Sequence, residues 1–401
     1  MIISQRIHHV EASPIRKLSP YAAAAVAEGK KVYHLNIGQP DIETPQLFLD
    51  AIRNCHQKVI EYGDSRGDPS LVKAIRDYYH RWNMDFENEE IIITNGGSEA
   101  LLIAMMTLCD PGDEILVFEP FYANYSTFAN VLNINIRAVV TTAEDGYQMP
   151  DEAAIEAKIT PKTKAILLTN PGNPTGRVYT ADEMKRVAKV VCRHNLALIA
   201  DEVYREFVYG FPYTSFGTMP ELREHLVLVD SLSKRYSACG ARIGALLCHN
   251  ADFCVECMKY CQGRLCCPEL EQIGAAALYS TPVSYLEQVN AEYRRRRDTL
   301  EREIAKLPGV ICSKPQGAFY VMIKMPVDDA EKFAIWLLES FNSKGETVMF
   351  APGNGFYSTP GMGKDEARLA YVLNCNDLTR AIQILGEGLK AYPGTKLMAE
   401  A

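Results

Sequence analysis

The sequence predicts an α/β protein in which a mostly parallel sheet is covered by helices on both faces and a smaller α+β domain completes the chain. Short apolar runs alternate with amphipathic helical segments from residue 91 to residue 248, as in strands joined by crossover helices. A long, charged helical segment follows Pro282, and the remaining part mixes strand and helix patterns. A chain of 401 residues is long enough for one large and one smaller domain.

Both ends of the chain are predicted to form the small domain, at residues 1–45 and 286–401, while residues 46–285 form the large domain. The first segment predicts an arm, an alanine-rich helix after Pro20 and the strand Val32–Asn36. A turn that contains a glycine and a proline ends this strand. The charged helix after the large domain is long enough to link the two domains.

Two helices are predicted between the first strand and the regular alternation. One begins at Thr44-Pro45 and the other at Asp68-Pro69. In each, a side chain that can cap the helix precedes a proline at the first helical position, where the missing N–H costs nothing.

The strands of the large domain are predicted as apolar runs, each followed by a turn or a helix. They are Ile91–Thr94, Glu114–Phe118, Ile134–Val140, Thr163–Thr169, Ala197–Asp201, Leu226–Leu232 and Ile243–Cys248. The helices between them include Ser98–Leu108 and one that Thr180 caps and that ends near His194. Ligands bind beyond the carboxyl ends of strands in sheets of this kind. We therefore expect a site near Asn170, Asp201 and Ser231.

The last part of the chain predicts a long helix followed by a compact α+β unit. Its elements are a helix from Pro282 to about Leu307, strand Ala318–Lys324, helix Asp329–Asn342, strands Val348–Phe350 and Ala367–Asn374, and a final helix from Asp377.

Composition and charge exclude several function classes. Apolar residues make up 47% of the chain and charged residues 23%, which is typical of a globular enzyme. The net charge of −8 argues against a nucleic-acid partner or an anionic membrane. No apolar run reaches the 18 or so residues of a membrane helix, and Arg6, His8 and His9 stand where a signal peptide would be apolar.

The twelve cysteines are scattered, and several lie in apolar segments, as expected of reduced thiols in a cytoplasmic protein. The denser group from Cys254 to Cys267 lacks the paired spacing and the histidine of a zinc site. We therefore predict no metal.

The segment from Ser231 to Arg242 carries the groups that a ligand with a phosphate and an aldehyde requires. The apolar run Leu226–Val229 predicts a buried strand end, and the hydroxyls of Ser231 and Ser233 follow it. Lys234 comes next, and Arg242 supplies a fixed positive charge eight residues later. A lysine becomes a nucleophile when burial or neighbouring cations favour its neutral form. Most lysines are solvated surface residues, so this stretch alone leaves both interpretations open.

A strand-to-helix turn, Gly96-Gly97-Ser98, is a second candidate phosphate contact. Glycines let the backbone approach an anion, and the helix N-terminus offers free N–H groups. Many such turns contain two glycines, so the prediction depends on the fold bringing this turn to Ser231 and Arg242.

Two further motifs stand at predicted strand ends. The two prolines and two glycines of Asn170–Gly176 predict a rigid loop that holds Asn173 in one pose, or else an elaborate turn. Asp201, with Tyr204 three residues later, would keep a ring nitrogen protonated, because an opposite charge favours the charged form. A helix N-cap is the alternative role for this aspartate.

Two more side chains have competing interpretations. Tyr122 follows a strand and would stack on a planar ligand, although aromatic residues in such positions are more often core. Arg368 lies in an otherwise apolar strand and would bind a carboxylate in bidentate fashion. An internal salt bridge is the alternative for the arginine.

Three motifs together resemble the class I/II aminotransferases, pyridoxal-phosphate enzymes of fold type I, and in particular the aspartate-aminotransferase-like members. They are Asn-Pro-x-Asn-Pro-Thr-Gly at 170–176, Asp-Glu-x-Tyr at 201–204, and Ser-x-Ser-Lys with Gly-x-Arg-x-Gly at 231–244. The resemblance extends from about Val32 to Tyr392.

The resemblance implies a catalytic set and a cofactor set. Lys234 would hold pyridoxal 5'-phosphate covalently and move the substrate's α-proton, Asp201 would pair with the pyridine nitrogen, and Tyr204 would contact the ring oxygen. The residues expected to bind the cofactor are Tyr62, Gly97, Ser98, Glu99, Tyr122, Asn173, Asp201, Tyr204, Ser231, Ser233, Lys234 and Arg242.

The resemblance also implies substrate contacts and an assembly. Arg368 would bind the α-carboxylate, with the backbone of Gly38 and the side chain of Asn173 beside it. Tyr62 matches the tyrosine that reaches the neighbouring subunit's phosphate, so a homodimer with shared active sites is implied. Arg264 lies in a stretch that resembles the family's inter-subunit segment, and we hypothesise that it serves a distal carboxylate across the dimer.

This sequence departs from the family pattern at two places. Ala241 replaces the usual aromatic residue before the phosphate-binding arginine. Ser98 occupies the position where some aspartate-specific members carry a lysine, which puts dicarboxylate specificity in doubt.

The predicted function is transfer of an amino group from an L-amino acid (aspartate, or an aromatic or broad range) to a 2-oxo acid such as 2-oxoglutarate. Other pyridoxal-phosphate chemistry on the same fold remains as an alternative: a C–S β-lyase, a cyclopropane-carboxylate synthase or a decarboxylase. A non-catalytic effector module that binds the cofactor is the remaining alternative.

Overall fold

The computed structural model describes residues 1–8 and 10–397. His9 and residues 398–401, the last four of the predicted small domain, lie outside the described residues. The helices are α1 (Gln5–His8), α2 (Ser19–Ala27), α3 (Gln46–Arg53), α4 (Pro69–His80), α5 (Gly97–Leu108), α6 (Asn124–Leu132), α7 (Glu152–Glu156), α8 (Ala181–Arg193), α9 (Leu232–Arg235), α10 (Ala251–Arg264), α11 (Glu269–Leu278), α12 (Val283–Ile304), α13 (Ala330–Glu339) and α14 (Cys375–Ala391). The strands are β1 (Lys31–His34), β2 (Ile91–Thr94), β3 (Glu114–Glu119), β4 (Asn135–Val140), β5 (Thr163–Thr169), β6 (Ala197–Asp201), β7 (Leu226–Ser231), β8 (Gly244–Leu247), β9 (Ile311–Cys312), β10 (Tyr320–Lys324), β11 (Glu346–Met349), β12 (Ala351–Pro352) and β13 (Glu366–Ala370).

A seven-stranded sheet forms the centre of the molecule, in the order β2-β8-β7-β6-β5-β3-β4. Neighbouring strands are parallel from β4 to β7, and β8 is antiparallel to both β7 and β2. The predicted α/β class with a mostly parallel sheet is therefore confirmed. The carboxyl ends of β5, β6 and β7 meet at one edge, which brings the predicted site residues at those ends together.

The central strands are apolar on both faces because helices cover both. Ile166 and Leu168 of β5 pack into one core cluster, while Leu167 between them packs into the cluster on the opposite face. This alternation follows from the period of two along a strand. It explains why these strands appear in the sequence as continuous apolar runs.

A smaller sheet lies beside the first, in the order β12-β13-β10-β9 with antiparallel neighbours. The N-terminal strand β1 pairs in parallel with β11, and the amide of Ala370 donates to the carbonyl of Leu35 at 2.8 Å. Segments from both ends of the chain thus meet in this part of the molecule. The domain limits at residues 45 and 285 stay a prediction.

Local differences from the predicted elements have physical causes. Thr44 does not cap α3: its hydroxyl donates to the carbonyl of Ser237 at 2.8 Å, and Pro45 occupies the N-cap without a side-chain hydrogen bond. Asp68 does cap α4, since its carboxylate accepts from the amides of Ser70 and Leu71 at 2.9 and 3.1 Å.

Several strands are shorter than predicted. Strand β13 ends at Ala370 and not at Asn374, and Asn374 caps α14 by accepting from the amides of Asn376 and Asp377, so this helix begins at Cys375 and not at Asp377. Strand β7 ends at Ser231, because that hydroxyl accepts from the amide of Ser233 and starts the short helix α9. Strand β10 begins at Tyr320 and not at Ala318, whose φ of 55° is incompatible with an extended strand. In residues 1–8 and 10–397, no helix combines the length and the apolar character needed to cross a bilayer.

Candidate active site

A cavity of about 550 Å³ lies at the carboxyl ends of β5, β6 and β7, between the large sheet and the smaller one. Most of the predicted site residues line it. They are Gly38, Gly97, Ser98, Tyr122, Asn173, Asp201, Tyr204, Ser231, Ser233, Lys234, Arg242 and Arg368. Residues as far apart along the chain as Gly38 and Arg368 therefore converge on one space.

Lys234 extends into this cavity from the short helix α9. Its ammonium group donates to the carbonyl of Gly38 at 2.9 Å. Gly38 is required there by space, because a Cβ at this position would lie 1.8 Å from the hydroxyl oxygen of Tyr320. The lysine is half-buried, which excludes the solvated surface role left open by the sequence.

Asp201 is a buried carboxylate at the end of β6. The hydroxyl of Tyr125 donates to its Oδ2 at 2.9 Å, and the amide of Val203 donates to its Oδ1 at 3.4 Å. Burial raises the pKa of Asp201 to about 6, and the nearby acidic groups of Asp230 and Glu202 act in the same direction. A cationic ligand group would offset this desolvation and favour the charged form.

The glycine turn and the serine–arginine segment meet as the sequence predicted. Nη2 of Arg242 donates to the carbonyl of Asn95 at 3.3 Å. A Cβ at Gly96, whose φ is +75°, would lie 2.4 Å from the same Nη2. The hydroxyls of Ser231 and Ser233, 2.8 Å apart, line the same cavity. These groups and the N-terminus of α5 lie around one part of the cavity and could hold an anion, and we name them the anion cup (Gly96–Ser98, Ser231, Ser233 and Arg242).

Arg368 is buried without an acidic partner. Its Nη1 donates to Asn173 Oδ1 at 3.0 Å and its Nη2 to the carbonyl of Asn36 at 2.6 Å. In the described part of the chain no carboxylate forms an ion pair with it, and its Nε has no hydrogen-bond partner. Burial lowers the pKa of Arg368, whereas the neighbouring tyrosines act in the opposite direction. A buried, unpaired guanidinium is suited to an incoming carboxylate.

Three tyrosines, Tyr122, Tyr204 and Tyr320, complete the wall around the ring position. The hydroxyls of Tyr204 and Tyr320 lie 3.0 Å apart, and the Tyr320 hydroxyl donates to the carbonyl of Gly38 at 3.3 Å. The hydroxyl of Tyr122 accepts from Asn124 Nδ2 at 2.9 Å. Burial raises the pKa of Tyr122 to about 12 and that of Tyr204 above its ordinary value, so both of these phenols are neutral donors or acceptors at neutral pH.

Three predicted site residues lie elsewhere in this chain. Tyr62, Glu99 and Arg264 line a second cavity of about 840 Å³. Tyr62 is 81% exposed. The guanidinium of Arg264 donates to the carbonyl of Ser65 at 3.0 Å and lies 3.5 Å from Glu99, whose carboxylate also accepts from the amide of Asn95. Contacts of these residues with the cofactor or a partner subunit's substrate stay predictions.

Sequence reasoning missed several residues of the site. Tyr125 follows Tyr122 by three positions, a helical spacing that was a usable signal for a second aromatic residue at the same strand end. Tyr320, Asn36 and Arg16 carried no local signal. Their positions depend on pairing between distant segments.

Comparisons with known proteins show which proteins this chain is similar to. The family model described as "Aminotransferase class I and II" matches residues 30–384. An aspartate aminotransferase of Musicola paradisiaca is 30% identical over 402 residues, covering 97% of both chains. Among solved structures, an alanine aminotransferase from Pyrococcus furiosus has a TM-score of 0.89 at 29% identity, covering 97% of this chain and 100% of its own. The aspartate aminotransferase of Thermotoga maritima has a TM-score of 0.88 at 28% identity, with the same two shares.

Proposed function

The chain belongs to the class I and II aminotransferases and is a pyridoxal-phosphate-dependent enzyme, and we propose that it transfers the amino group of an L-amino acid, with aspartate as the first candidate, to a 2-oxo acid such as 2-oxoglutarate. The observation that carries this proposal is the convergence of Lys234, Asp201, Arg242 and Arg368 on one cavity. The aminotransferases among its relatives do not favour the lyase, synthase, decarboxylase or effector alternatives.

The residues of the cavity fit pyridoxal 5'-phosphate. The anion cup matches the phosphate, because a Cβ at Gly96 would fill the space against Arg242. Asp201 matches the pyridine nitrogen, since its buried carboxylate has no cationic partner among residues 1–8 and 10–397. We propose that Asn173 and Tyr204 contact the ring oxygen and that Tyr122 packs on the ring. When bound, the cofactor supplies an electron sink for the bonds at the substrate's α-carbon.

Lys234 would have two tasks. Its amine would hold the cofactor covalently at rest, and after the substrate has replaced it the same amine would carry the proton from the α-carbon. The hydrogen bond from Nζ to the carbonyl of Gly38 orients the amine inside the cavity. Nζ also lies 4.0 Å from Cys239 Sγ, and within the described residues no carboxylate pairs with it, so the amine is positioned and yet free to exchange a proton.

Arg368 would orient the substrate through its α-carboxylate. Two of its nitrogens are already fixed by Asn173 and by the backbone of Asn36, so the fork is held before the substrate arrives. A preorganised guanidinium loses little freedom on binding. The guanidinium carbon of Arg368 lies 4.4 Å from the centroid of the Tyr320 ring. This ring would therefore limit the access of water to the ion pair between Arg368 and the substrate carboxylate.

We propose a homodimer in a reducing compartment, the cytoplasm. The exposed side chain of Tyr62 would reach the partner subunit's anion cup, and the second cavity around Arg264 would adjoin the same boundary. All twelve cysteines carry free thiols, in accordance with a reducing compartment.

The test separates a transaminase from the other reactions of this fold. The holoenzyme is mixed with an amino acid in the absence of any oxo acid, and release of the corresponding oxo acid in one equivalent per site is expected. Borohydride reduction of the resting enzyme followed by peptide mapping should locate the chromophore on Lys234. Attachment to another lysine, or release of ammonia or CO₂ in place of the oxo acid, would contradict the proposal.

A further inference from the structure

We propose that Arg16 is a specificity-determining residue of the active site and binds the side-chain carboxylate of a dicarboxylic substrate. This inference rests on the proposed function and deepens it, because it assigns a class of substrate to the cavity. Arg16 lines the cavity that contains Lys234 and Arg368, although it lies in the N-terminal segment outside the large sheet.

The charges that line the cavity are unbalanced. Its only acidic side chain in the described part of the chain is Asp201, whereas Arg16, Lys234, Arg242 and Arg368 are basic. Three of these cations have a proposed partner: the cofactor aldehyde for Lys234, the phosphate for Arg242, and the α-carboxylate for Arg368. The guanidinium of Arg16 remains without a proposed partner, and a second carboxylate on the substrate is a group that would form an ion pair with it.

The guanidinium of Arg16 is free, while its backbone is fixed. Within residues 1–8 and 10–397, the side chain forms no ion pair or hydrogen bond. The amide of Arg16 donates to the carbonyl of Ser13 at 3.0 Å, and its carbonyl accepts from the amide of Ser19 at 2.9 Å. Pro14 packs against Gly355, where a Cβ would lie 2.3 Å from the proline ring. The side chain thus extends from a fixed turn and is not part of a loose arm.

Asn36 connects the backbone beside Arg16 to the guanidinium of Arg368. Its Nδ2 donates to the carbonyl of Ile15 at 2.7 Å, and its own backbone carbonyl accepts from Arg368 Nη2 at 2.6 Å. The turn that carries Arg16 is therefore fixed relative to Arg368, while the Arg16 guanidinium itself is not held by any described residue. Both positive charges also act on the hydroxyl of Tyr122, where they counter the effect of burial on its pKa. A dicarboxylate bound to both would span this hydroxyl.

The experiment compares holoenzymes of the wild type, Arg16→Gln, Arg16→Lys and Lys17→Gln. Lys17 is a matched control, because it is the adjacent cation but pairs with Glu331 and does not line the cavity. Two quantities are measured: the ratio of kcat/KM for aspartate to that for alanine, and the Kd of maleate by calorimetry. Maleate has two carboxylates and no amino group, so it reports on binding without turnover.

We expect Arg16→Gln to lower the aspartate-to-alanine ratio and to weaken maleate binding, each by about 10- to 100-fold, since a charge-assisted hydrogen bond is lost. Arg16→Lys should have a ratio and a maleate Kd between those of the wild type and of Arg16→Gln, because lysine keeps the positive charge but lacks the two-pronged guanidinium. Lys17→Gln should match the wild type.

An unchanged ratio and an unchanged Kd in Arg16→Gln would overturn the inference while the aminotransferase function stands. An Arg264→Gln variant measured in parallel tests the contribution across the dimer: a collapse of the ratio there, with none in Arg16→Gln, would assign the distal carboxylate to Arg264 instead. A wild type that converts no L-amino acid of a panel that includes aspartate, alanine and aromatic amino acids to its oxo acid would overturn the proposed function itself.

Discussion

The hydroxyl of Tyr125 donates a hydrogen bond to Oδ2 of Asp201 at 2.9 Å, and the same hydroxyl lies 2.5 Å from Thr169 Oγ1. This pair joins helix α6 to the end of strand β6 behind the ring position. The hydrogen bond lowers the pKa of Asp201, but burial raises it more strongly, to about 6. Without a cation beside it, the ionised carboxylate therefore destabilises the folded state, whereas a bound pyridinium would make ionisation favourable.

The first prediction concerns the stability of the apoprotein. The pKa of Asp201 is about 6 in the folded state and 3.8 ordinarily. Ionisation of this carboxyl therefore lowers the free energy of unfolding above pH 6 and has no such effect below pH 3.8. Asp201→Asn removes this cost and keeps an oxygen that accepts from Tyr125. We expect the apo variant to be more stable than the wild type by about 1–3 kcal/mol at pH 8, with no difference near pH 4. Urea unfolding at the two pH values measures it.

In the holoenzyme, Asp201→Asn should be harmful, because the cofactor's ring nitrogen would lose its anionic partner. Asp201→Asn should lose most of its turnover while borohydride still fixes the chromophore to Lys234. Tyr125→Phe serves as the comparison, because it removes one donor and leaves the carboxylate. Full activity of Asp201→Asn would refute the pairing of this residue with the ring nitrogen.

The second prediction concerns the anion cup. Gly96→Ala should weaken cofactor binding by about 10- to 100-fold, because its Cβ would lie 2.4 Å from Arg242 Nη2. Gly112→Ala is a matched control: Gly112 also has a positive φ, +94°, but a Cβ there meets nothing within 4 Å. Both substitutions strain the backbone, and only the first intrudes on the arginine. Equal cofactor affinities in the two variants, measured by fluorescence titration of the apoproteins, would count against the cup.

The central sheet was predictable because its strands are buried on both faces. Strands β2, β5 and β6 have the predicted bounds. Strands β2 and β6 are apolar runs that end at a polar residue, and β5 has an apolar run, Ala165–Leu168, between Thr163-Lys164 and Thr169. The rule that ligands bind at carboxyl strand ends then places Asn173, Asp201 and the serine segment together.

The small-domain side of the cavity was less accessible to such reasoning. Arg16 and Tyr320 reach the cavity only because β1 pairs with β11 and Leu35 with Ala370, contacts between segments more than 300 positions apart. Neither residue stands at a strand end with a distinctive neighbour. No periodicity or short motif reports such long-range pairing, and so the fourth cation of the site was not predicted.

The third prediction concerns Arg368. Arg368→Gln should raise KM for every amino acid and lower kcat/KM by about 30-fold to several thousand-fold, because truncating a buried charged partner costs about 2–5 kcal/mol. Arg297→Gln is the control. Arg297 is also buried and donates to the carbonyl of Pro315 at 2.7 Å, but it does not line the cavity. Loss of thermal stability is expected in both variants and a raised KM only in the first. Similar KM values in the two would show that Arg368 is only structural.

The fourth prediction tests whether the sites are shared between subunits. Lys234→Ala lacks the covalent attachment and should be inactive, and Tyr62→Ala should bind the cofactor weakly if Tyr62 serves the partner's anion cup. When the two variants are unfolded together and refolded as a mixture, each mixed dimer contains one site with both residues intact. Random pairing makes half the dimers mixed, so about a quarter of wild-type activity should appear at limiting cofactor. Tyr62 is 81% exposed and lies outside the active-site cavity of its own chain, which supports a role in the partner's site. If Tyr62 served its own subunit instead, each site of a mixed dimer would lack one of the two residues and no activity would be recovered. Activity equal to the average of the two parent variants would place Tyr62 in its own subunit's site, and wild-type activity of Tyr62→Ala alone at limiting cofactor would place Tyr62 outside the active site.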